Sequence, residues 1–153
     1  MWVDIYDFID CELVSPGDPL WVVISIGSYK TKNKVELKWK GKEKEGYWRY
    51  KPIYVEDDKL KDMSLPCDPS QIPDIFIDIY THKTFGGDTR IGYLRMPVEN
   101  CIQTKPRPNW FRFRSPVNDT GTKNVGSMMM AIQFLKYDVA IPVWRPVRVK
   151  QKK

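Results

Sequence analysis

Residues 29–44 read YKTKNKVELKWKGKEK. Lys30, Lys32, Lys34, Lys38, Lys40, Lys42 and Lys44 all fall on even positions, and Glu36 is the one even position that breaks the run. Successive side chains of a β-strand point to opposite faces, so a period of two builds a one-sided surface. The odd positions Val35, Leu37 and Trp39 can then turn inward while the lysines face water. A helix would spread the same lysines around most of its circumference. The stretch therefore predicts a strand or hairpin with one packed and one basic face. A charged strand face also keeps a protein soluble and blocks edge pairing, so the pattern alone does not establish binding.

Strand patterns continue on both sides of it. Trp2 to Ile9 alternates weakly, and Ser15-Pro16-Gly17-Asp18-Pro19 breaks the chain. Leu20 to Ile26, LWVVISI, is rich in β-branched and aromatic residues. Gly41 and Gly46 bracket a charged turn before Tyr47 to Val55, and the polar stretch that follows carries the prolines of a loop. Ile75, Ile77 and Ile79 share one face of DIFIDIY, residues 74–80. Arg90 to Met96, Trp110 to Arg114 and Ser127 to Phe134 complete a set of about eight short strands, the pattern of an all-β antiparallel sandwich. Trp48 and Trp110 are expected in its core. The domain is expected to span 1–137, with 138–153 a basic tail leaving it.

At 153 residues and 42% hydrophobic content the chain is long enough for one domain with a real core. No apolar run approaches the roughly 18 residues that cross a bilayer, and residues 1–12 lack the layout of a secretory signal. Cys11, Cys67 and Cys101 form no paired motif, so reduced thiols are expected. The net charge of +6 is polarised. Residues 30–51 and the C-terminus are basic and residues 56–78 acidic, which points to an anionic partner. One histidine, with no nucleophile motif and no phosphate-cradling glycine loop, argues against an enzyme. Asp57 and Asp58 are expected to be solvated in their loop.

In order and spacing, these pieces resemble the C2 domains. Gly17 to Val22 resembles the family's S-D-P-Y-V step, Tyr47-Trp48 its N-P-x-W step, and Pro73 to Tyr80 its sixth strand. Phe85-Gly86 through Ile91-Gly92 resembles the F-G…I-G pattern, Asn109 to Phe111 the x-W-Y strand, and Gly126 to Phe134 the closing strand. The polar insertion before Pro73 and the segment RSPVNDTGTKNVGS (114–127) are most similar to ferlins, multi-C2 proteins of vesicle fusion.

The resemblance implies a peripheral cytosolic module. Its lysine-rich concave face, Lys30, Lys32, Lys34, Lys38 and Lys40, would bind phosphoinositide or phosphatidylserine, with His82, Lys83, Phe85 and Arg90 as loop contacts. Calcium would need converging carboxylates. The family's ligand positions fall here on Asp18, Thr81, Lys83 and Asp88, so a degenerate, calcium-independent loop set with no cofactor is expected. The competing reading is a protein-docking domain that binds no lipid. Nucleic acid is disfavoured because the odd-numbered aromatics are expected to face the core, leaving no stacking platform.

Overall fold

The computed structural model describes residues 1–9, 11–14, 18–31, 34–42, 48–50, 52–55, 57, 60, 63–66, 68–83, 87–101, 108–116 and 124–134; at 39–42, 48–50, 54, 69 and 83 the description is of the backbone. Eleven strands run through these residues: β1 (Trp2–Ile9), β2 (Leu20–Ile26), β3 (Tyr29–Lys30), β4 (Val35–Leu37), β5 (Trp39–Lys42), β6 (Trp48–Tyr50), β7 (Ile53–Val55), β8 (Ile75–Lys83), β9 (Gly87–Met96), β10 (Asn109–Arg112) and β11 (Ser127–Gln133). They form a four-stranded sheet in the order β10-β11-β1-β7, a five-stranded sheet in the order β3-β2-β8-β9 with β4 also on β2, and the small hairpin β5-β6. All pairings are antiparallel, and the fold is the all-β sandwich that the alternating sequence predicts.

Alternation explains the core. Val3, Ile5 and Phe8 of β1 meet Met128, Met130 and Ile132 of β11 on one inner face. Val22, Ile24 and Ile26 of β2 meet Ile79, Ile77 and Ile75 of β8 on the other, with Leu20 opposite Thr81. Burying each such side chain contributes roughly 1.5–3 kcal/mol. Phe8 and Phe113 close one end edge-to-face, with ring centroids 6.2 Å apart. Gly126 lies against that Phe8 ring at φ +118°, where an added Cβ would come within 2.7 Å of the ring carbons. Position 126 therefore takes glycine for two reasons, backbone and space. A bridge between Tyr93 and Arg114, with both N–H···O distances 2.9 Å, ties the edge of the five-stranded sheet to the segment after β10.

The lysine stretch departs from a single strand. β3 pairs with Ser25 and Ile26, and β4 with Leu20 to Val22, so the two are halves of one interrupted edge strand along β2. Thr31 marks the interruption: its amide donates to Ile24 O at 2.9 Å, while the Ile24 amide donates to Thr31 Oγ1 at 3.2 Å. Before the break paired residue numbers sum to 55, as in Ser25–Lys30, and after it to 57, as in Val22–Val35. An offset of two preserves parity. Lys30, Lys34, Glu36 and Lys38 are exposed, while Leu37 is buried and Tyr29 and Val35 pack on the core.

Three other expectations are corrected. Tyr47 to Val55 is split into β6 and β7, and the first of these pairs with β5 outside the two main sheets. Trp110, on edge strand β10, is 42% exposed, because its partner Met129 alternates with the core residues Met128 and Met130. Asp57, expected to be solvated, is buried, and Leu60 near it belongs to the core; Asp58 lies outside the described residues. Residues 138–153 lie outside the described residues.

Candidate functional site

Side chains of β2, β8 and β9 that do not enter the core share the outer face of the five-stranded sheet with the lysines. Register places Trp21 opposite Tyr80, Val23 opposite Asp78 and Ser25 opposite Phe76. Across the next seam Phe76 stands opposite Arg95, Asp78 opposite Tyr93, Tyr80 opposite Arg90, and His82 opposite Asp88. The face is thus a grid of aromatic, acidic and basic residues, continued at its far edge by Lys30, Lys34, Glu36 and Lys38.

One corner is a compact network. Trp21 and Tyr80 stack with centroids 6.0 Å apart and planes 8° from parallel. The Lys34 ammonium lies 4.2 Å from the Trp21 ring centroid and 3.3 Å from Asp88 Oδ2, a cation held by a π-face and a carboxylate together. The other Asp88 oxygen is 3.0 Å from His82 Nδ1. The His82 contact first, and Lys34 after it, hold the Asp88 carboxyl below the usual carboxylate range. Trp21 is consequently buried although it faces away from the core.

The opposite corner is built from arginines. Arg90 Nη1 is 3.3 Å from Asp78 Oδ1, and its guanidinium lies 5.9 Å from the Tyr93 ring centroid. Arg95 Nε donates to Asp74 Oδ2 at 2.7 Å, with its guanidinium 5.6 Å from the ring centroid of Phe76, itself 37% exposed.

Among the sequence-derived candidates, Lys30, Lys34 and Lys38 are exposed on this face, and His82 and Arg90 lie on it as well. Arg90 joins the arginine corner, on a strand flank, through its pair with Asp78. Lys32 and Phe85 lie outside the described residues, and at Lys40 and Lys83 the description stops at the backbone. Among the degenerate calcium positions Asp18 is half-buried, and Thr81 is buried with its hydroxyl donating to Pro19 O at 2.8 Å. Asp88 is engaged by His82 and Lys34. Among the described residues, no three His, Cys, Asp or Glu side chains converge as a metal would require.

Sequence reasoning missed Trp21, Phe76, Asp78, Tyr80, Tyr93 and Arg95 as members of this face. Alternation within DIFIDIY already separates Phe76, Asp78 and Tyr80 from the isoleucines, so that signal was present. Their partners across the sheet depend on register, which the sequence does not display. The premise that this face lacks aromatics is also corrected: Phe76, Tyr80 and Tyr93 lie on it.

No protein-family model matches the chain. No curated protein matches it either. The structure is similar to a C2 domain of plant extended synaptotagmin 1, at 9% identity and a TM-score of 0.47, over 88% of this chain and 95% of that one. It is also similar to a structure of CC2D1B, described as coordinating ESCRT-III activity during mitotic reformation of the nuclear envelope. There the identity is 13% and the TM-score 0.45, over 84% of this chain and 52% of that one.

Proposed function

We propose that the chain is a C2-type binding module, rather than an enzyme, which holds anionic phospholipid headgroups on the outer face of its five-stranded sheet without calcium. The observation that carries this reading is the parity-preserving offset at Thr31, which leaves Lys30, Lys34 and Lys38 exposed on one face. A lysine near an anionic surface contributes about 1 kcal/mol and is screened by salt. Lys32, Lys40, His82, Lys83 and Phe85 join the same reading through the sequence resemblance. Calcium independence rests on the loop positions: a buried Thr81 bonded to Pro19, and an Asp88 already engaged by a cation, are poor ligands for a divalent ion. On this reading the protein works at the cytosolic face of a vesicle or plasma membrane, as one domain of a ferlin-like trafficking protein.

The experiment is co-sedimentation with neutral, phosphatidylserine and phosphoinositide vesicles, each with calcium and with chelator. Binding that follows anionic lipid content and ignores the chelator is the expected result. No binding to any vesicle would overturn the lipid reading.

A further inference from the structure

Beyond the lysine edge, the arginine corner of β8 and β9 carries a pattern that lipid binding does not use. Asp74, just before β8, and Asp78 within it form an acidic column, and Arg90 and Arg95 a basic column along β9. The arginine side chains are the more exposed members, at 46% and 63%, against 17% for Asp78 and 28% for Asp74. Phe76, one of the exposed large hydrophobics, stands between the two aspartates.

We infer that this surface is self-complementary and docks on the same surface of a second copy of the chain. A two-fold symmetric interface must match itself, each residue finding the partner's counterpart of opposite character. Consider two outer faces brought together about a two-fold axis that runs along the strands between β8 and β9. Each strand of one copy then lies over the other strand of the second, at the same level along the sheet. The register makes the consequence definite: because Phe76 is opposite Arg95 and Tyr80 opposite Arg90, each arginine falls on an aromatic ring of the partner. Each arginine also falls beside the partner's aspartates, since Asp74 and Asp78 flank Phe76 and Asp78 precedes Tyr80 by one inward residue. Aromatic and arginine residues at the centre are the composition of strong interface contacts. The ten residues of β9 span about 33 Å at ~3.3 Å per residue, and two strands are about 10 Å across, less than a standard interface covers. The dimer is therefore weak and concentration-dependent.

The test is sedimentation velocity from low-micromolar to near-millimolar protein, without lipid, so that its outcome is independent of vesicle binding. The wild type is expected to shift reversibly from monomer to dimer. Asp74→Lys with Asp78→Lys makes a chain with only basic columns, and Arg90→Glu with Arg95→Glu one with only acidic columns. Each is expected to remain monomeric alone, and the equimolar mixture to form a one-to-one heterodimer at least as tightly as the wild type. Phe76→Ala should weaken self-association by on the order of ten-fold, a typical loss for a central anchor. A wild type that stays monomeric throughout, a mixture that does not associate, or reversed variants that still self-associate would overturn the proposal. Should a reversed chain fail to fold, Asp→Asn and Arg→Gln at the same positions remove the same pairs, and unchanged dimerisation in them overturns it equally.

Discussion

On the inner side of β2 and β8, Val22, Ile24, Ile26, Ile75, Ile77 and Ile79 have no exposed surface, whereas Val23, Phe76, Asp78 and Tyr80 on the other side of the same strands remain accessible. The two surfaces belong to the same backbone and differ by one residue of phase. Inside, the energy comes from apolar area removed from water, and any residue of the right shape contributes. Outside, it comes from specific neighbours: Trp21 on Tyr80, Lys34 between Trp21 and Asp88, and each arginine on its own aspartate and ring. A defect inside should therefore appear as lost stability, and a defect outside as lost binding.

The sharpest way to break that distinction uses adjacent residues of β8. Ile77→Ala should destabilise the fold by about 2–5 kcal/mol through lost burial and a residual cavity, read as a lower midpoint in urea unfolding. Phe76→Ala, one residue earlier, should cost within about 1 kcal/mol because its ring is already part-exposed. Equal effects would mean that the outer face is packed like the inner one.

Next in size is a loss of binding without a loss of stability. Replacing Lys30, Lys34 and Lys38 together by alanine removes up to about 3 kcal/mol of attraction to an anionic surface, a fall of on the order of a hundred-fold in vesicle partitioning. The unfolding midpoint should stay within about 1 kcal/mol of wild type, since exposed charges contribute little to folding. A large stability loss would show that Lys34, through Trp21 and Asp88, is a structural residue and the binding assignment mistaken.

Much of this comparison was legible in the sequence. Period-two patterning located the strands, and DIFIDIY separated its own inner and outer faces. What the sequence hid was the place where a strand changes partner. Between Tyr29 and Lys42 the residues alternate almost without a break, yet β3 and β4 are parted along β2 where Thr31 offers its hydroxyl to the Ile24 amide, and β5 leaves β2 to pair with β6. Threonine is common in uninterrupted strands, so nothing local announces this use of it. The candidate site was legible in its lysines for the same reason that it was incomplete: parity is a property of one strand, whereas the Asp74–Arg95 and Asp78–Arg90 pairs exist only across two. Trp110 was misplaced because its face is set by register with β11, which puts it opposite Met129 and gives the inward position to Phe111.

Thr31 can be tested on that account. Thr31→Val keeps the shape and removes the acceptor, leaving the buried Ile24 amide unpaired at a cost of about 1–3 kcal/mol. Hydrogen exchange should speed at Ile24 and not at Ile77, whose ladder on β9 is unaffected. Uniform acceleration would mean that the edge strand is held by something other than this contact.

The smallest expected effect tests the ordering of forces at Asp88. Its carboxyl is held below the ordinary carboxylate range by His82 first and Lys34 after it. A carboxyl whose pKa is lowered by folding binds fewer protons folded than unfolded, so its contribution is complete above the ordinary range and is lost as the pH falls through the lowered value. Asp88→Asn should lower the unfolding midpoint slightly at neutral pH and so flatten the acid limb, leaving the acid end, where the wild-type carboxyl is protonated, unchanged. A carboxyl carbon NMR titration separates the two partners. His82→Ala should raise the Asp88 pKa more than Lys34→Ala does, because the imidazole contact is the larger influence and the ammonium shares its charge with the Trp21 ring. The reverse order would make Lys34 a cation committed to Asp88 in the folded protein, and so withdraw it from the set of lysines available to a membrane.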